Sequence, residues 1–543
     1  MDRKGRTEKG TTAIRHPRPE HDGVRKGVSI PRRGWNAAAS PSPLAILGGV
    51  ALLLLMSALT PTRALAQSGT GQFLLISDIH FNPFYDGSLL DLLRDRPVED
   101  WAGILEASKP AGINARGTDS NYALVKSSLN EARARMPHPD FILYPGDFMA
   151  HQWQQKYDGL AKASHMEDPA AYQAFTEKAI RFLAAEFGRR FPGIAVLPTL
   201  GNDDSYCGDY MIEPVGPFLK MFAAAWEPLI SPRQTSGTFR NTFSRGGYYT
   251  MVLPGATRIR LVVLNSVFFS VNYENACGRS TQTPALDQLR WLAETLEQAQ
   301  AARESVWLLM HVPPGINSYN SAVSVKQGGP PETFWQQELT ARFLQLADRH
   351  AATMQVGFVG HTHMDDFRVV RKDGSPSLLL KIAPAVSPIF GNNPGYQVYQ
   401  YDRESGALFN YQTYNLTNLP GQAPAAAAGG APATPASTAP AAGQWAFEYD
   451  FRQAYGFGAV NARTVAQLAG RMRTNVTDQQ RFTLYYSVSG PAEFTVQGLD
   501  VYRCAIAHIT PAGFLNYLNG VPKAKRPRVF PDRRPRVSAT SAP

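Results

Sequence analysis

Seven side chains of the kinds that bind metal ions recur along this chain of 543 residues, in short clusters. The clusters are Asp78-Ile79-His80, Gly146-Asp147, Gly201-Asn202-Asp203, His311 and Gly360-His361-Thr362-His363. Imidazole nitrogens mixed with carboxylate and amide oxygens suit zinc, iron or manganese. Two such ions, about 3.5–4 Å apart, can bind a phosphoryl oxygen and hold the hydroxide that attacks phosphorus. The order and chemistry of the clusters therefore predict a two-metal phosphoester hydrolase.

Each cluster follows an apolar run that is typical of a buried β-strand. The five runs are Phe73–Ser77, Phe141–Tyr144, Ala195–Leu200, Val306–Met310 and Val356–Val359. In open α/β sheets, ligands bind just beyond the carboxyl ends of the strands. The five strand ends are therefore expected to direct their His, Asp and Asn side chains at one place.

Amphipathic stretches alternate with these strands, which favours an α/β sandwich. The predicted helices are Tyr122–Met136, Ala170–Phe187, Phe334–His350 and one that begins at Thr283-Pro284. Three later strands are expected to close the sheet: Leu378–Ile382, Tyr396–Tyr401 and Leu408–Thr413.

The order of the clusters resembles that of the calcineurin-like metallophosphoesterases, and within them the acid sphingomyelinase and sphingomyelinase-like phosphodiesterase branch. The stretches that carry the closer resemblance include Gly146–His151, Ala225–Pro228, Gly246–Tyr249, His311–Gly315, Gly360–Phe367, Asn393–Tyr399 and Tyr414–Thr417. The resemblance implies a four-layer αββα metallophosphoesterase sandwich with a small helical C-terminal segment. No stretch resembles the saposin-like domain of true acid sphingomyelinase.

The predicted cofactors are two divalent metal ions, for which the resemblance favours zinc and the ligand chemistry also admits iron or manganese. A carboxylate that bridges the ions offsets their charge, and Asp147 is the candidate. Asp78, His80 and His363 are expected to complete one ligand shell. Asn202, His311 and His361 are expected to complete the other.

One position departs from the pattern, since the family usually has a histidine after Gly-Asn and this chain has Asp203. That histidine protonates or stabilises the leaving oxygen in the family. Asp203 is therefore either an acid with a raised pKa, or its role passes to another group, or the substrate has a good leaving group, such as a phosphoanhydride, that needs little acid help. The structural alternative is a loop carboxylate that caps nearby amides. The candidate for that other group is His151, four residues after Asp147, because the branch keeps a substrate-facing histidine there. A histidine that acts as general acid or base typically raises the reaction rate by about 10²–10⁴-fold.

Aromatic residues near the clusters are candidates for a substrate groove, although ordinary packing is the favoured interpretation. They are Phe81, Phe84, Tyr85, Phe268, Phe269 and Tyr319.

The net charge of +10 belongs to the ends of the chain, since residues 1–66 carry +7 and residues 523–543 carry +6, which leaves −3 between them. The charge therefore gives no indication of a nucleic-acid-binding surface. Residues 1–66 have the basic lead, apolar run and Ala-x-Ala site of a secretory signal peptide, and an uncleaved anchor is the alternative. A secreted or periplasmic location is expected.

The remaining chain divides by composition into four predicted parts. Residues 67–419 are the metallophosphoesterase domain, 420–443 an Ala/Pro-rich linker, 444–520 a helical C-terminal region and 521–543 a basic disordered tail. Three cysteines, Cys207, Cys277 and Cys504, allow at most one disulfide within a monomer. Pairing of Cys207 with Cys277 is the hypothesis, which the sequence alone does not fix.

The sequence thus predicts a secreted binuclear-metal phosphodiesterase in which metal-bound hydroxide attacks a phosphoester or phosphoanhydride. Its substrate is a phospholipid head group, a nucleotide or polyphosphate, with membrane contact through a lipid substrate. The alternatives are a phosphomonoesterase, an endopolyphosphatase-type hydrolase or a non-catalytic phosphate-binding relative. The sequence does not specify an oligomeric state.

Overall fold

The computed structural model describes residues 69–163, 168–230, 237–274, 284–420, 442–491 and 498–520. All of them belong to one unit of the chain, Ser68–Pro543. The predicted signal peptide, nearly all of the linker and the basic tail lie outside the described residues.

Two six-stranded sheets form the centre of this unit. Their strands, in chain order, are β1 (Thr70–Leu75), β2 (Phe141–Tyr144), β3 (Ala195–Pro198), β4 (Tyr249–Val252), β5 (Ile259–Val263), β6 (Ser305–Leu309), β7 (Met354–Val359), β8 (Asp366–Lys372), β9 (Ser375–Ile382), β10 (Gly395–Asp402), β11 (Leu408–Leu416) and β12 (Trp445–Asp450). The first sheet has the order β12-β11-β10-β1-β2-β3 and the second β4-β5-β6-β7-β9-β8. Strands β1, β2 and β3 are parallel neighbours, as are β5, β6, β7 and β9. Each sheet therefore has several strand ends along one edge.

Helices surround the sheets, and all four predicted ones are present within a few residues of their expected bounds. They are α1 (Leu90–Asp95), α2 (Trp101–Glu106), α3 (Tyr122–Arg135), α4 (Trp153–Ala163), α5 (Pro169–Arg190), α6 (Pro217–Ile230), α7 (Gly237–Gly246), α8 (Pro284–Ala301), α9 (Ser318–Ser324), α10 (Gln337–Arg349), α11 (Phe451–Tyr455), α12 (Ala462–Arg471), α13 (Val476–Tyr486), α14 (Leu499–Ala507) and α15 (Pro511–Asn519). Polar caps fix several starts, because their side chains satisfy backbone N–H groups that have no partner inside the helix. Asn121 accepts from the N–H of Leu124 at 3.0 Å, and Asp168 from that of Ala170 at 2.9 Å.

Aromatic side chains fill the space between the two sheets. Phe73 on β1 stacks on Phe141 and Tyr399 of its own sheet, with ring centroids 5.0 and 4.8 Å away. The same ring meets Trp307 and Phe358 of the second sheet, each at 5.4 Å. All five rings are fully buried, and such pairs add about 0.5–1.5 kcal/mol each to the burial of apolar area. The predicted four-layer α/β sandwich is confirmed.

The C-terminal segment joins both sheets. Its first residues, which the sequence analysis placed in a mainly helical region, form β12 at the edge of the first sheet. The aromatic residues Trp445, Phe447 and Tyr449 recur at every second position, which is the period of a strand. This pattern indicates a strand at the start of the region that was expected to be helical. Helix α12 packs against β8 and β9 of the second sheet, and α14 packs against β8. None of the helices in the described ranges is long and apolar enough to cross a membrane.

Candidate metal centre

The carboxyl ends of five strands bring the seven predicted ligands together. Asp78 and His80 follow β1, Asp147 follows β2 and Asn202 follows β3 in the first sheet. In the second sheet His311 follows β6, and His361 and His363 follow β7. All seven lie at the place where the two sheet edges meet, and all but His361 are buried.

Five of these residues have a left-handed backbone, which side chains other than glycine rarely adopt. The φ angles are 49° for Asp78, 44° for His80, 57° for Asp147, 75° for His361 and 64° for His363. Each such residue costs roughly 1–2 kcal/mol relative to a right-handed conformation. Strain of this kind persists where the surroundings impose it, and it concentrates at functional sites.

Two glycines let the ligand loops approach closely. A Cβ at Gly201 would lie 1.9 Å from Oδ1 of Asp147, and one at Gly360 would lie 2.6 Å from Oδ2 of Asp78. No side chain fits at either position without displacing a candidate ligand. The glycines in the clusters are therefore required by the packing of one loop on another.

The first group of ligand atoms comes from Asp78, His80, Asp147 and His363, which approach within 4.8 Å of one another. Nε2 of His80 lies 3.2 Å from Oδ2 of Asp147 and 3.1 Å from Nε2 of His363. Oδ1 of Asp78 lies 3.7 Å from the same nitrogen of His363.

The second group comes from Asp147, His311 and His361, with Asn202 between the two histidines. Nε2 of His311 lies 3.1 Å from Oδ2 of Asp147 and 2.9 Å from Oδ1 of Asn202. Nδ1 of His361 lies 2.8 Å from that amide oxygen. Asp147 belongs to both groups, which is the position of a bridging carboxylate.

The hydrogen bonds behind the ligands show that the site fits cations. Nδ1 of His80 lies 2.9 Å from the carbonyl oxygen of Met149, and Nδ1 of His311 lies 2.8 Å from that of Pro145. Since a carbonyl only accepts, each Nδ1 carries a proton and each ring directs Nε2 at Asp147, where a neutral ring would present its lone pair to a cation. Lone pairs and carboxylate oxygens that converge on one point repel each other unless a positive charge lies between them.

In the metal-free protein, protons take the place of that positive charge. Burial lowers the pKa of His80, but the carboxylate of Asp147 outweighs this and raises it to about 10. The same balance of burial against Asp147 raises the pKa of His311 to about 9. Burial and the neighbouring His311 lower the pKa of His361 to about 3. The site therefore favours positive charge on the two rings next to Asp147 and keeps the ring of His361 unprotonated.

The two predicted catalytic residues lie beside the first group. The ring of His151 stacks on that of His80, with centroids 4.0 Å apart, and its Nε2 lies 3.8 Å from Oδ2 of Asp203. Asp203 is buried, and its backbone N–H donates to Oδ1 of Asp147 at 3.1 Å. Burial and the charge of Asp147 raise the pKa of the Asp203 carboxyl well above its usual range.

Three carboxylates that support the site were not assigned from the sequence. Asp204 accepts backbone N–H groups of Asp147, Phe148, Met149 and Gly201 at 2.7–3.2 Å, and so joins two ligand loops. Asp209 accepts from Nδ2 of Asn202 at 2.8 Å. Asp119 lies 2.8 Å from His151. Asp204 could have been found from the sequence because it follows the predicted residue Asp203, whereas no motif near Asp119 indicates its role.

A cavity of about 620 Å³ opens from the centre, and its wall includes Asp147, His151, Asn202 and His361. Its aromatic lining comes from several parts of the chain: Tyr210, Tyr319, Phe334, Phe390, Tyr486 and Tyr502. Of the six aromatics considered from the sequence, Tyr319 lines this cavity, whereas Phe81, Phe268 and Phe269 are buried in the core. The C-terminal segment therefore contributes two tyrosines to the cavity.

The cysteines are in two different states. Cys207, in the loop that carries Asn202 and Asp209, is disulfide-bonded. Cys504 on α14 is a free, buried thiol. The predicted partner of Cys207, Cys277, lies outside the described residues.

Several known proteins are similar to this chain along most of its length. No protein-family model matches the chain. An acid sphingomyelinase-like phosphodiesterase 3b of Homo sapiens is 26% identical over 465 residues, which cover 82% of this chain and 88% of that protein. A cyclic GMP-AMP phosphodiesterase of Bos taurus is 26% identical over 82% of this chain and 89% of its own length. A sphingomyelinase phosphodiesterase C of Dictyostelium discoideum is 26% identical over 82% of this chain and 92% of its own.

Among solved structures, a dimetal phosphatase of Danio rerio covers 64% of this chain and 96% of its own, with 12% identity and a TM-score of 0.35. A TM-score this low supports no conclusion about activity. The curated homologues share most of their length with this chain. The chain is therefore a homologue of the acid sphingomyelinase-like phosphodiesterases, and it is a phosphoric ester hydrolase.

Proposed function

We propose that the protein is an exported binuclear-metal phosphodiesterase that hydrolyses a phosphoester or phosphoanhydride. The observation that carries the proposal is the position of Asp147, which belongs to two groups of ligand atoms beside one cavity. A carboxylate shared in this way holds two cations as neighbours, which a two-metal hydrolase requires.

Asp78, His80 and His363 would hold one ion together with Asp147, and Asn202, His311 and His361 would hold the other. When bound, the ions supply Lewis-acid activation of water and of a phosphoryl oxygen. Zinc is the metal that the resemblance favours, and the donor set also suits iron or manganese.

His151 would assist the leaving oxygen, because it lies at the cavity wall beside the first ligand group. Asp203 would support it as a neutral carboxyl group, since the carboxyl is buried next to Asp147. The alternative is that Asp203 donates the proton itself. In that case Asp203→Asn would remove more activity than His151→Ala on a substrate with a poor leaving group.

The substrate would be a phosphocholine-type lipid head group, a nucleotide or polyphosphate. The names of the relatives describe sphingomyelinase-like and cyclic GMP-AMP phosphodiesterases. The cavity volume of about 620 Å³ lies in the range of small-molecule sites. A lipid substrate would bring the protein into contact with a membrane.

Export to the periplasm or the exterior is part of the proposal. It is supported by the basic, apolar and small-residue pattern of residues 1–66. The disulfide at Cys207 also supports it, because disulfides persist in oxidising compartments.

The test is a hydrolysis panel over sphingomyelin, a cyclic dinucleotide, a nucleoside triphosphate and polyphosphate, with mono- and bis-p-nitrophenyl phosphate as chromogenic esters. We expect hydrolysis of a diester, its loss on chelation, its return with zinc, and its absence in Asp147→Asn. Hydrolysis of the mono-ester alone would establish a phosphomonoesterase, and of polyphosphate alone an endopolyphosphatase-type hydrolase. If the metal-replete protein hydrolyses none of them, it is a phosphate-binding relative, and hydrolysis by Asp203→His would then show that Asp203 marks the lost chemistry.

A further inference from the structure

A buried carboxylate stands behind His151 on the side away from Asp203. Asp119 precedes α3, and its side chain is completely buried. Its Oδ1 lies 2.8 Å from Nδ1 of His151, and its Oδ2 accepts from Nζ of Lys156 at 2.7 Å. The hydroxyl of Ser387 lies 3.5 Å from Oδ1. Both oxygens of Asp119 are thus bonded, and one of them faces the histidine.

Two other rings also contact the ring of His151. His80 stacks on it at 4.0 Å with 19° between the ring planes, and Phe390 meets it edge-on at 5.4 Å. These contacts set the plane of the ring, but apolar stacking does not determine which nitrogen carries the proton. The hydrogen bond to Asp119 does, because a carboxylate only accepts when it is ionised.

We propose that Asp119 is a positioning residue that accepts the Nδ1–H of His151 and so directs Nε2 at the leaving oxygen of the substrate. The protonated ring gives its Nε2 proton to that oxygen as the bond from phosphorus to the leaving oxygen breaks, and the neutral Nδ1–H tautomer remains. This inference rests on the proposed function of His151. Lys156 on α4 donates to the other oxygen of Asp119. A series of hydrogen bonds therefore runs from Lys156 through Asp119 to His151. Neither Asp119 nor Lys156 touches the reacting atoms.

Asp119→Asn separates this role from packing, because asparagine has the same shape. Lys156 still needs an acceptor, so the amide oxygen turns towards it and the amide NH₂ faces Nδ1 of His151. That nitrogen must then accept, which disfavours the protonated ring that gives up a proton from Nε2. Asp119→Asn is therefore expected to lower activity if Asp119 positions His151, whereas a residue needed only for packing would tolerate this change of equal shape.

The experiment compares wild type, Asp119→Asn, Asp119→Ala, His151→Ala and the double variant Asp119→Asn/His151→Ala on two diesters of the same class. One diester has an alkyl leaving group, which needs protonation, and the other a p-nitrophenyl group, which does not. Asp140→Asn is the matched control, since Asp140 is bonded to Arg403 and Tyr401 away from the site. Bound metal is measured in every variant.

We expect both Asp119 variants to lose about 10–100-fold in kcat on the alkyl diester and less than about 3-fold on the activated one, within the range of acid–base contributions. The double variant should be no slower than His151→Ala, because the two residues act as one unit. All variants should keep their metal, and Asp140→Asn should match wild type.

Equal losses on both diesters in Asp119→Asn, or additive losses in the double variant, would overturn the proposal. So would metal loss in His151→Ala, which would make His151 a ligand. Loss by His151→Ala alone on the alkyl diester would show that Asp119 is dispensable. A wild type without diesterase activity, in contrast, would refute the proposed function itself.

A second measurement does not depend on turnover. Nitrogen-15 shifts of histidine-labelled, full-length protein distinguish Nδ1–H from Nε2–H in a neutral ring. We expect Nδ1–H for His151 in wild type and Nε2–H in Asp119→Asn. The same tautomer in both proteins would contradict the role given to Asp119.

Discussion

At the scale of residues, the site is defined by the partners of its ligands as much as by the ligands themselves. The convergence of the seven candidate ligands could be predicted because each belongs to a short cluster after an apolar strand. Asp119, Asp204 and Asp209 could not be assigned roles, because their function depends on partners that folding brings together. Asp119 and His151 are 32 residues apart and meet only in the folded chain.

Asp209 should determine which end of the Asn202 side chain faces the metal. It accepts from Nδ2, so Oδ1 points at the two histidines. We expect Asp209→Ala to weaken metal binding by about 10–100-fold, as for other partners of metal ligands. Asp209→Asn, which keeps an acceptor, should lose less. Competition with a fluorescent chelator measures this, and the exposed Asp287→Ala provides the control; unchanged affinity in Asp209→Ala would refute it.

Metal binding should release protons, because His80 and His311 have pKa values of about 10 and about 9 in the metal-free protein. Both values are raised, so both rings are protonated at neutral pH, and an ion must displace those protons. We expect the release of about two protons at pH 7. We also expect the metal affinity to rise with pH until the pH exceeds the pKa values of His80 and His311. Calorimetry in buffers of different ionisation enthalpy counts the protons. A binding enthalpy that does not depend on the buffer would contradict this.

At the scale of elements, a buried carboxylate joins the loop after β7 to both sheets. Oδ1 of Asp365 binds Nζ of Lys381 on β9 at 2.6 Å. Its Oδ2 accepts from Gln397, Thr413 and Tyr449 on β10, β11 and β12 at 2.7–3.2 Å. The strands could be predicted from their apolar pattern, but this network could not. Polar residues alternate with apolar ones along many strands, so nothing in the sequence distinguishes those that bind Asp365. The left-handed φ angles of the ligands also have no sequence signal, because none of these residues is glycine.

Removal of Asp365 should therefore destabilise the fold. Asp365→Ala leaves the buried ammonium of Lys381 without its partner, which typically costs about 3–5 kcal/mol. Denaturant unfolding with circular dichroism measures the change. Glu106→Ala removes a carboxylate from an exposed ion pair with Lys126 and should change stability by less than about 1 kcal/mol. Similar effects of the two substitutions would show that the network contributes little.

At the scale of the whole molecule, the segment after residue 441 is part of the main fold. Its strand β12 extends the first sheet, its helices pack on the second, and Tyr486 and Tyr502 line the cavity. The sequence predicts a small helical C-terminal region for this segment. It did not show that the segment reaches the site, because those contacts depend on how the helices are arranged.

Cleavage of the chain between residues 420 and 442 should therefore leave the protein assembled. A protease site introduced there would give two fragments that still share the sheet through the pairing of β11 with β12. We expect the fragments to elute together from a sizing column and to keep diesterase activity. Separation of the fragments without denaturant would show that the segment is held mainly by the covalent connection.

The anchoring of the Gly360–Asp366 loop also bears on the timing of biogenesis. The backbone N–H of Asp365 donates to the carbonyl of Tyr486 at 2.8 Å, and Tyr449 binds the carboxylate of the same residue. Both tyrosines emerge from the ribosome after every ligand has been synthesised. The two hydrogen bonds that anchor this loop therefore form only after the C-terminal segment has been synthesised.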